Sequence, residues 1–283
     1  MTLLEVTDLT VDFGTGPVVD HVSFTLEPSE RVGIIGESGS GKSLTALSIV
    51  GLAPDNATVT GSVRWDGREL LGQSDRELSK LRGDDITMVF QNPLNSLNPV
   101  MRVGRQIAEP LRLHRDMSRH DAAAEAVRLC DLVGLPDPAH TARAFPHQLS
   151  GGQRQRVGIA IALACQPALL IADEPTTALD VTVQAGVLGL LRELITARNT
   201  ALLFITHDVG LVAGVSQRLL VMRHGRVVET GPTEQVISAP RHDYTRSLIA
   251  AARATALDAP STEPAPAATD AETATDAETE TVA

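Results

Sequence analysis

Gly36-Glu37-Ser38-Gly39-Ser40-Gly41-Lys42-Ser43 has the spacing of a loop built to hold phosphate. Glycines let successive backbone N–H groups converge on anionic oxygens, and a helix beginning at Lys42 adds the positive end of its dipole. Lys42 is placed to reach β- and γ-phosphates as a point charge, and the Ser43 hydroxyl to ligate magnesium. The flanking sequence agrees: a short aliphatic strand, Arg31 to Ile35, precedes the loop, and residues 42–52 read as a helix.

Three further stretches carry chemistry. Ala168-Leu-Leu-Ile-Ala-Asp173-Glu174 is an aliphatic strand ending in two acids. At such a strand end Asp173 can hold a magnesium shell and Glu174 can polarise an attacking water. Two acids in that position could also simply open a helix or loop. A second strand, 201–206, ends in Thr206-His207-Asp208, where His207 could contact a γ-phosphate, although a lone histidine is more often structural. Leu149-Ser150-Gly151-Gly152-Gln153 is a second glycine-bearing helix start suited to phosphate, with Ser150 also able to act as a plain cap.

These residues need a scaffold, and the patterning supplies one. Residues 3–11, 18–26 and 62–70 read as strands, the last with an Asp66-Gly67 turn. From about 75 to 165, Ala, Leu, Arg and Glu dominate, strand signals nearly vanish, and residues 100–113, 118–133 and 151–165 have helical periodicity. Strand 168–172, helix 181–197, strand 201–206 and a hairpin at 217–229 around His224-Gly225 follow. Buried strand alternating with helix predicts an α/β fold with a doubly wound parallel sheet. Aromatics make up only 2% of the chain, so its core must be aliphatic, which suits strands covered on both faces.

Charge is unevenly spread. Of the net −11, seven negative charges lie after Arg253, where no Lys or Arg occurs, leaving −4 for the rest. That balance does not suggest a nucleic-acid-binding domain, which usually shows a basic face. Residues from about 252 to 283, with Thr-Asp-Ala-Glu-Thr at 269–273 and again at 275–279, are expected to form a disordered acidic tail. Cys130 and Cys165 have no metal spacing. No signal-like N-terminus or apolar stretch long enough to span a membrane is present, so any membrane role requires partners.

The order of these motifs resembles the ATPases of ABC transporters, with the signature at Leu149–Gln153 standing between the phosphate loop and the Asp173-Glu174 strand. The resemblance covers residues 3 to about 251. It implies a P-loop NTPase (RecA-like) core with an antiparallel β subdomain, and a helical subdomain at about 88–165 carrying the signature. It also implies that Phe13 stacks on adenine. Gln91 corresponds to the glutamine that senses magnesium and links the subdomains, Asp180 to the loop that crosses the dimer interface, and His207 to the switch histidine. Glu174, His207 and Gln91 are then the catalytic set. Residues 36–43 and Phe13 bind ATP, with Ser150, Gly151, Gly152, Gln153 and Asp180 completing the site. Ser43, Gln91 and Asp173 hold Mg2+. Two chains would pack head to tail, each ATP lying between one phosphate loop and the other chain's signature.

Gln91–Pro99, Arg143–Ser150 and the stretch from Ser150 to Leu191 look like importer subunits of the dipeptide, oligopeptide and nickel group. Residues 240–249 resemble that group's post-core segment, with His242-Asp243-Tyr244-Thr245 where His-Pro-Tyr-Thr is usual. A cysteine-containing extension is common in the group, but no cysteine follows Cys165 here, which leaves nickel or another small solute open beside peptides. The resemblance implies a second, paralogous ATPase chain (or a second copy), two membrane permeases, an indirect link to an extracytoplasmic solute-binding protein, and peripheral attachment to the cytoplasmic face of the cell membrane. An exporter ATPase, a non-transport ABC ATPase and a small-molecule P-loop kinase are the rival readings.

Overall fold

The computed structural model describes residues 2–91, 97–176 and 179–257. In chain order, β1 (Leu4–Asp12), β2 (Pro17–Leu26) and β3 (Arg31–Ile35) lead into α1 (Lys42–Ile49). Then come β4 (Thr58–Trp65), β5 (Arg68–Glu69), α2 (Asp75–Leu81) and β6 (Ile86–Val89). A helical run follows: α3 (Val103–His114), α4 (Arg119–Leu132), α5 (Pro138–Arg143), a 3-10 turn at Pro146–Gln148, and α6 (Gly151–Leu163). The chain closes with β7 (Leu169–Asp173), α7 (Val181–Arg198), β8 (Ala201–Thr206), α8 (Val209–Val215), β9 (Arg218–Arg223), β10 (Arg226–Pro232), α9 (Thr233–Ser238) and α10 (Asp243–Leu257).

Two sheets result. One is antiparallel, in the order β2-β1-β4-β5; the other runs β10-β9-β3-β8-β7-β6, parallel except for β10 at its edge. Every residue of β7 and β8 is buried, as strands covered on both faces require. The period of two along each strand then feeds two separate cores. Leu170, Ala172, Leu202, Phe204, Leu219 and Val221 face the helical side. Their neighbours Leu169, Ile171, Leu203, Ile205, Leu220 and Met222 face α1 and the antiparallel sheet. Each such aliphatic side chain contributes about 1.5–3 kcal/mol on burial.

The helical region is held by amphipathic stripes. α3 buries Val103, Ile107, Ala108 and Leu111, and α4 buries Ala122, Ala126, Leu129 and Cys130. Ser118 caps α4 by accepting the Asp121 N–H at 3.2 Å. Pro110 lies inside α3, where its missing N–H removes one helical hydrogen bond.

Three sequence expectations are corrected. Ile86–Val89 is a strand pairing in parallel with β7, inside a stretch expected to be helical and partly inside the expected helical subdomain. Four residues are too few to show a period of two. The strand expected at 62–70 begins earlier, at Thr58, while its Asp66-Gly67 turn stands as expected, between β4 and β5. Finally, α10 continues to Leu257, past the boundary expected at 251. Residues 258–283 of the acidic segment lie outside the described residues, as do 92–96 after Gln91 and 177–178 before Leu179.

Candidate active site

The phosphate loop leaves the C-terminal end of β3 and is held against β2 and the β9–β10 turn. Gly41 has φ +96°, and a Cβ there would fall 2.8 Å from the Val18 carbonyl oxygen of β2. The β9–β10 turn, itself bonded to β2, donates the Gly225 N–H to the Ser40 carbonyl at 3.2 Å, while the Gly225 carbonyl accepts the Asp20 N–H at 2.9 Å. Only glycine accommodates that conformation and closeness together at position 41. Inside the loop Lys42 is 5% exposed, and its Nζ donates to the carbonyls of Gly36 and Glu37, both at 2.8 Å. No side chain caps the start of α1, so its first N–H groups point into the loop.

β7 brings Asp173 beside the loop, where its Oδ1 accepts the Ser43 hydroxyl at 2.9 Å. Burial pushes the Asp173 carboxyl up; the Ser43 hydrogen bond and the Lys42 charge oppose it, while Glu174 adds to it. Burial pulls the Lys42 ammonium down, against Glu174 and Asp173, which hold it charged. Lysine and carboxylates therefore depend on one another for their charged forms.

Glu174 follows in the left-handed region at φ +45°, its N–H donated to the Ile205 carbonyl at 2.8 Å. Its two carboxylate oxygens are held separately. Oε2 accepts Gln91 Nε2 at 2.8 Å, and Oε1 lies 3.0 Å from His207 Nδ1. Only 11% of the Glu174 side chain is exposed, against 53% of His207. Gln91 follows β6, Glu174 follows β7, His207 follows β8, and the phosphate loop follows β3. Four neighbouring parallel strands thus deliver their groups at one sheet edge, where α/β folds bind ligands.

The residues fit a magnesium nucleotide. Ser43 and Asp173 offer two hard oxygens, and among the described residues no group of three or more His, Cys, Asp or Glu forms a dedicated metal cage. Magnesium takes one or two protein oxygens and fills its octahedron with water and phosphate.

The remaining expected residues lie elsewhere. Ser150 caps α6 in a capping box: its Oγ accepts the Gln153 N–H at 3.3 Å, and Gln153 Oε1 accepts the Ser150 N–H at 2.9 Å. Among the described residues no hydrogen bond joins Ser150, Gly151, Gly152 or Gln153 to the phosphate loop. Gly152 is instead pressed against α7, where a Cβ would fall 2.5 Å from Val183 Cγ1. Asp180 caps α7, accepting the Val183 N–H at 2.9 Å. Phe13 sits in the β1–β2 turn and packs, half-buried, against the antiparallel sheet's core.

One residue escaped the sequence reasoning as part of the site. The Tyr244 hydroxyl, at the start of α10, accepts the Glu37 N–H at 3.0 Å, so the segment after the core grips the phosphate loop directly. Arg223, at the end of β9, lies 4.8 Å over the Tyr244 ring. Being the chain's only tyrosine was the available signal, and a partner 207 residues away gave it no local meaning.

A family model described as ABC transporter matches residues 19–177, from β2 through the phosphate loop, the signature and Glu174. The chain belongs to the ABC transporter family. It is an ATP-binding chain and an ATPase. Over 251 residues it is 51% identical to the oligopeptide transport ATP-binding protein OppD of Salmonella typhimurium, covering 87% of this chain and 75% of that one. It is equally identical, at 51% over 255 residues, to the peptidoglycan transport ATP-binding protein YejF of Agrobacterium fabrum, covering 88% of this chain but 47% of the relative. Among solved structures, a dimeric ATP-binding cassette in a post-hydrolysis state bound to ADP and Pi superposes with TM-score 0.73 at 30% identity, covering 81% of this chain and 98% of the other. CbiO1 of Clostridium perfringens, part of a transporter complex, gives TM-score 0.72 at 25% identity, covering 84% and 91%.

Proposed function

We propose that this ABC ATPase powers the uptake of peptides through membrane permease partners, hydrolysing ATP between its phosphate loop and the signature of a second ATPase subunit. The observation that carries the reading is the separation of two half-sites. Lys42, Ser43, Asp173, Glu174, Gln91 and His207 meet at one sheet edge, whereas Ser150–Gln153 stand apart with no bond to them. A single chain therefore supplies both halves without joining them. The peptide class rests on the transport named for the relatives, which match nearly the whole described length. A second ATPase subunit, paralogous or else a second copy, and attachment at the cytoplasmic face of the membrane are what the family resemblance implies.

Each residue has a defined task. Lys42 and the loop N–H groups hold the triphosphate. Glu174, its oxygens fixed by Gln91 and His207, orients a water for in-line attack on the γ-phosphorus and takes the water's proton. The bond to the bridging oxygen then breaks, leaving ADP and phosphate. A magnesium ion held by Ser43 and Asp173 would neutralise phosphate charge during that transfer. Gln91 ties the chemistry to the helical side, because the chain runs from it towards α3.

No helix among the described residues is long and apolar enough to cross a membrane. The permease docking surface we assign is the apolar hollow lined by Leu52, Met88, Phe90, Pro110 and Ile161, directly beside Gln91, where Phe90 and Leu52 are each 40% exposed. Purifying the Glu174→Gln form from its native host in mild detergent tests the whole reading. Two co-purifying permeases, with or without a second ATPase, would establish the transporter, and their binding protein would reveal the solute. Soluble partners alone would remove transport and leave the ATPase.

A further inference from the structure

Five arginines gather around one groove between α3, α4 and α5, on the helical side of the molecule. Arg102, Arg105, Arg112, Arg119 and Arg143 line a hollow of about 610 Å³ floored by small residues such as Gly104 and Ala108, with no Asp or Glu in its lining. All five are exposed. Several other arginines form ion pairs: Arg115 with Asp84, Arg128 with Glu125, Arg218 with Glu30, Arg226 with Asp20. The groove arginines form no ion pair among the described residues; Arg102 alone has a partner, the Phe145 ring at 5.6 Å. Nearby acids are engaged elsewhere: Glu125 with Arg128, and Asp121 with Ser118 and His120. Glu109 of α3 lines a different hollow, with Asn98 and Leu113.

Five guanidiniums on one face, with no carboxylate paired to them among the described residues, repel one another and call for an anion. Their presence is notable because the chain outside 258–283 carries a net charge of −4. We propose that the acidic segment 258–283 of this protein docks in the arginine groove. That segment holds seven acidic side chains and no Lys or Arg, five of them crowded into 270–280: four in the two Thr-Asp-Ala-Glu-Thr repeats, and Glu280 just after them. Its 26 residues start at the end of α10 and reach up to about 90 Å when extended, more than the width of a domain this size. Arg105 and Arg112 lie two turns apart on α3, about 10 Å along its axis, so one extended acidic stretch meets both. Tethering makes the encounter intramolecular at an effective concentration in the millimolar range, which lets individually weak pairs add up. Because the groups are exposed, the engagement is salt-sensitive. The arginine groove is separate from the site residues and from the permease surface assigned above, so the proposal survives or fails independently of them.

The test uses the full chain with a photo-crosslinking amino acid in place of Ala274, between the two acid clusters. Irradiation at low salt is expected to join the segment to residues 102–143, as mapped by mass spectrometry of digested protein. Yield should fall about tenfold in Arg105→Glu/Arg112→Glu, and by a similar factor in about 0.5 M salt. Replacing the acids at 270, 272, 276, 278 and 280 by lysine should restore the crosslink in the double variant. Thermal melting of the double variant checks that it folds. Crosslinks that map elsewhere, or a yield indifferent to charge reversal, overturn the proposal. So does binding of the groove to phosphatidylserine vesicles, lost in the arginine variant, with no change in segment crosslinking, which would give the groove to a membrane surface instead.

Discussion

The phosphate loop and the signature both offer phosphate a helix N-terminus, yet they are constructed in opposite ways. At the phosphate loop no side chain caps α1, the ammonium of Lys42 is buried, and strands β2 and β9 crowd its glycines. At the signature, Ser150 and Gln153 satisfy one another's N–H groups in a closed capping box, and Ser150 is exposed. The first end is a fixed receptor whose donors face inward; the second is a capped surface whose Ser150 hydroxyl, accepting from Gln153, keeps its own proton for the phosphate of the proposed dimer. Rigid preorganisation on one side and a satisfied, solvent-facing cap on the other suit a site that assembles and comes apart in each cycle.

The contrast predicts which variants lose chemistry and which lose binding. The largest effect belongs to Glu174→Gln in the assembled transporter. Steady-state phosphate release should drop by at least about 100-fold, with nucleotide affinity nearly unchanged, because general-base assistance contributes roughly 10²–10⁴. Retention of a tenth of the wild-type rate would remove Glu174 from its assigned role. Next comes Lys42→Ala, which should weaken ATP binding to this chain alone by about 30–100-fold, the loss of roughly 2–3 kcal/mol from a charged hydrogen bond; fluorescent-nucleotide titration reads it. Ser150→Ala sharpens the comparison from the other side. Binding to the isolated chain should stay level while turnover in the complex falls about tenfold, and the lost cap, worth about 1 kcal/mol, should lower Tm by a few degrees. A Ser150 variant that bound ATP as poorly as the lysine variant would mean that the two ends are not separate half-sites. The smallest effect is that of Tyr244→Phe. It leaves the Glu37 N–H without its acceptor, a change of about 1 kcal/mol that should weaken ATP binding three- to tenfold without altering the turnover of bound nucleotide.

Much of the receptor end was legible in sequence because its parts are local. A loop of eight residues, a strand ending in Asp173-Glu174 and a strand ending at His207 each declare themselves within a dozen positions. What joins them is not local. The Gln91–Glu174 and Tyr244–Glu37 bonds span 83 and 207 residues, and only the folded sheet brings their ends together. The family resemblance supplied Gln91, whereas nothing supplied the grip of Tyr244. β6 was lost for a different reason. Its four residues, Ile-Thr-Met-Val, sit between polar turns and a run of helices, and their burial comes from pairing with β7, which no periodicity records. Asp180 shows the reverse case. The resemblance placed it at a subunit boundary, and within the chain it is occupied in capping α7.

Glu174 stands in a left-handed conformation at φ +45°, which an ordinary side chain adopts at a cost of about 1–2 kcal/mol. Glycine would relieve that cost, and asparagine much of it. Glu174→Gly, which also removes the base proposed for hydrolysis, should therefore melt a few degrees above Glu174→Gln in calorimetry. With the role proposed for Glu174, turnover and backbone ease pull that position in opposite directions: a copy released from the need to hydrolyse gains by giving the glutamate up.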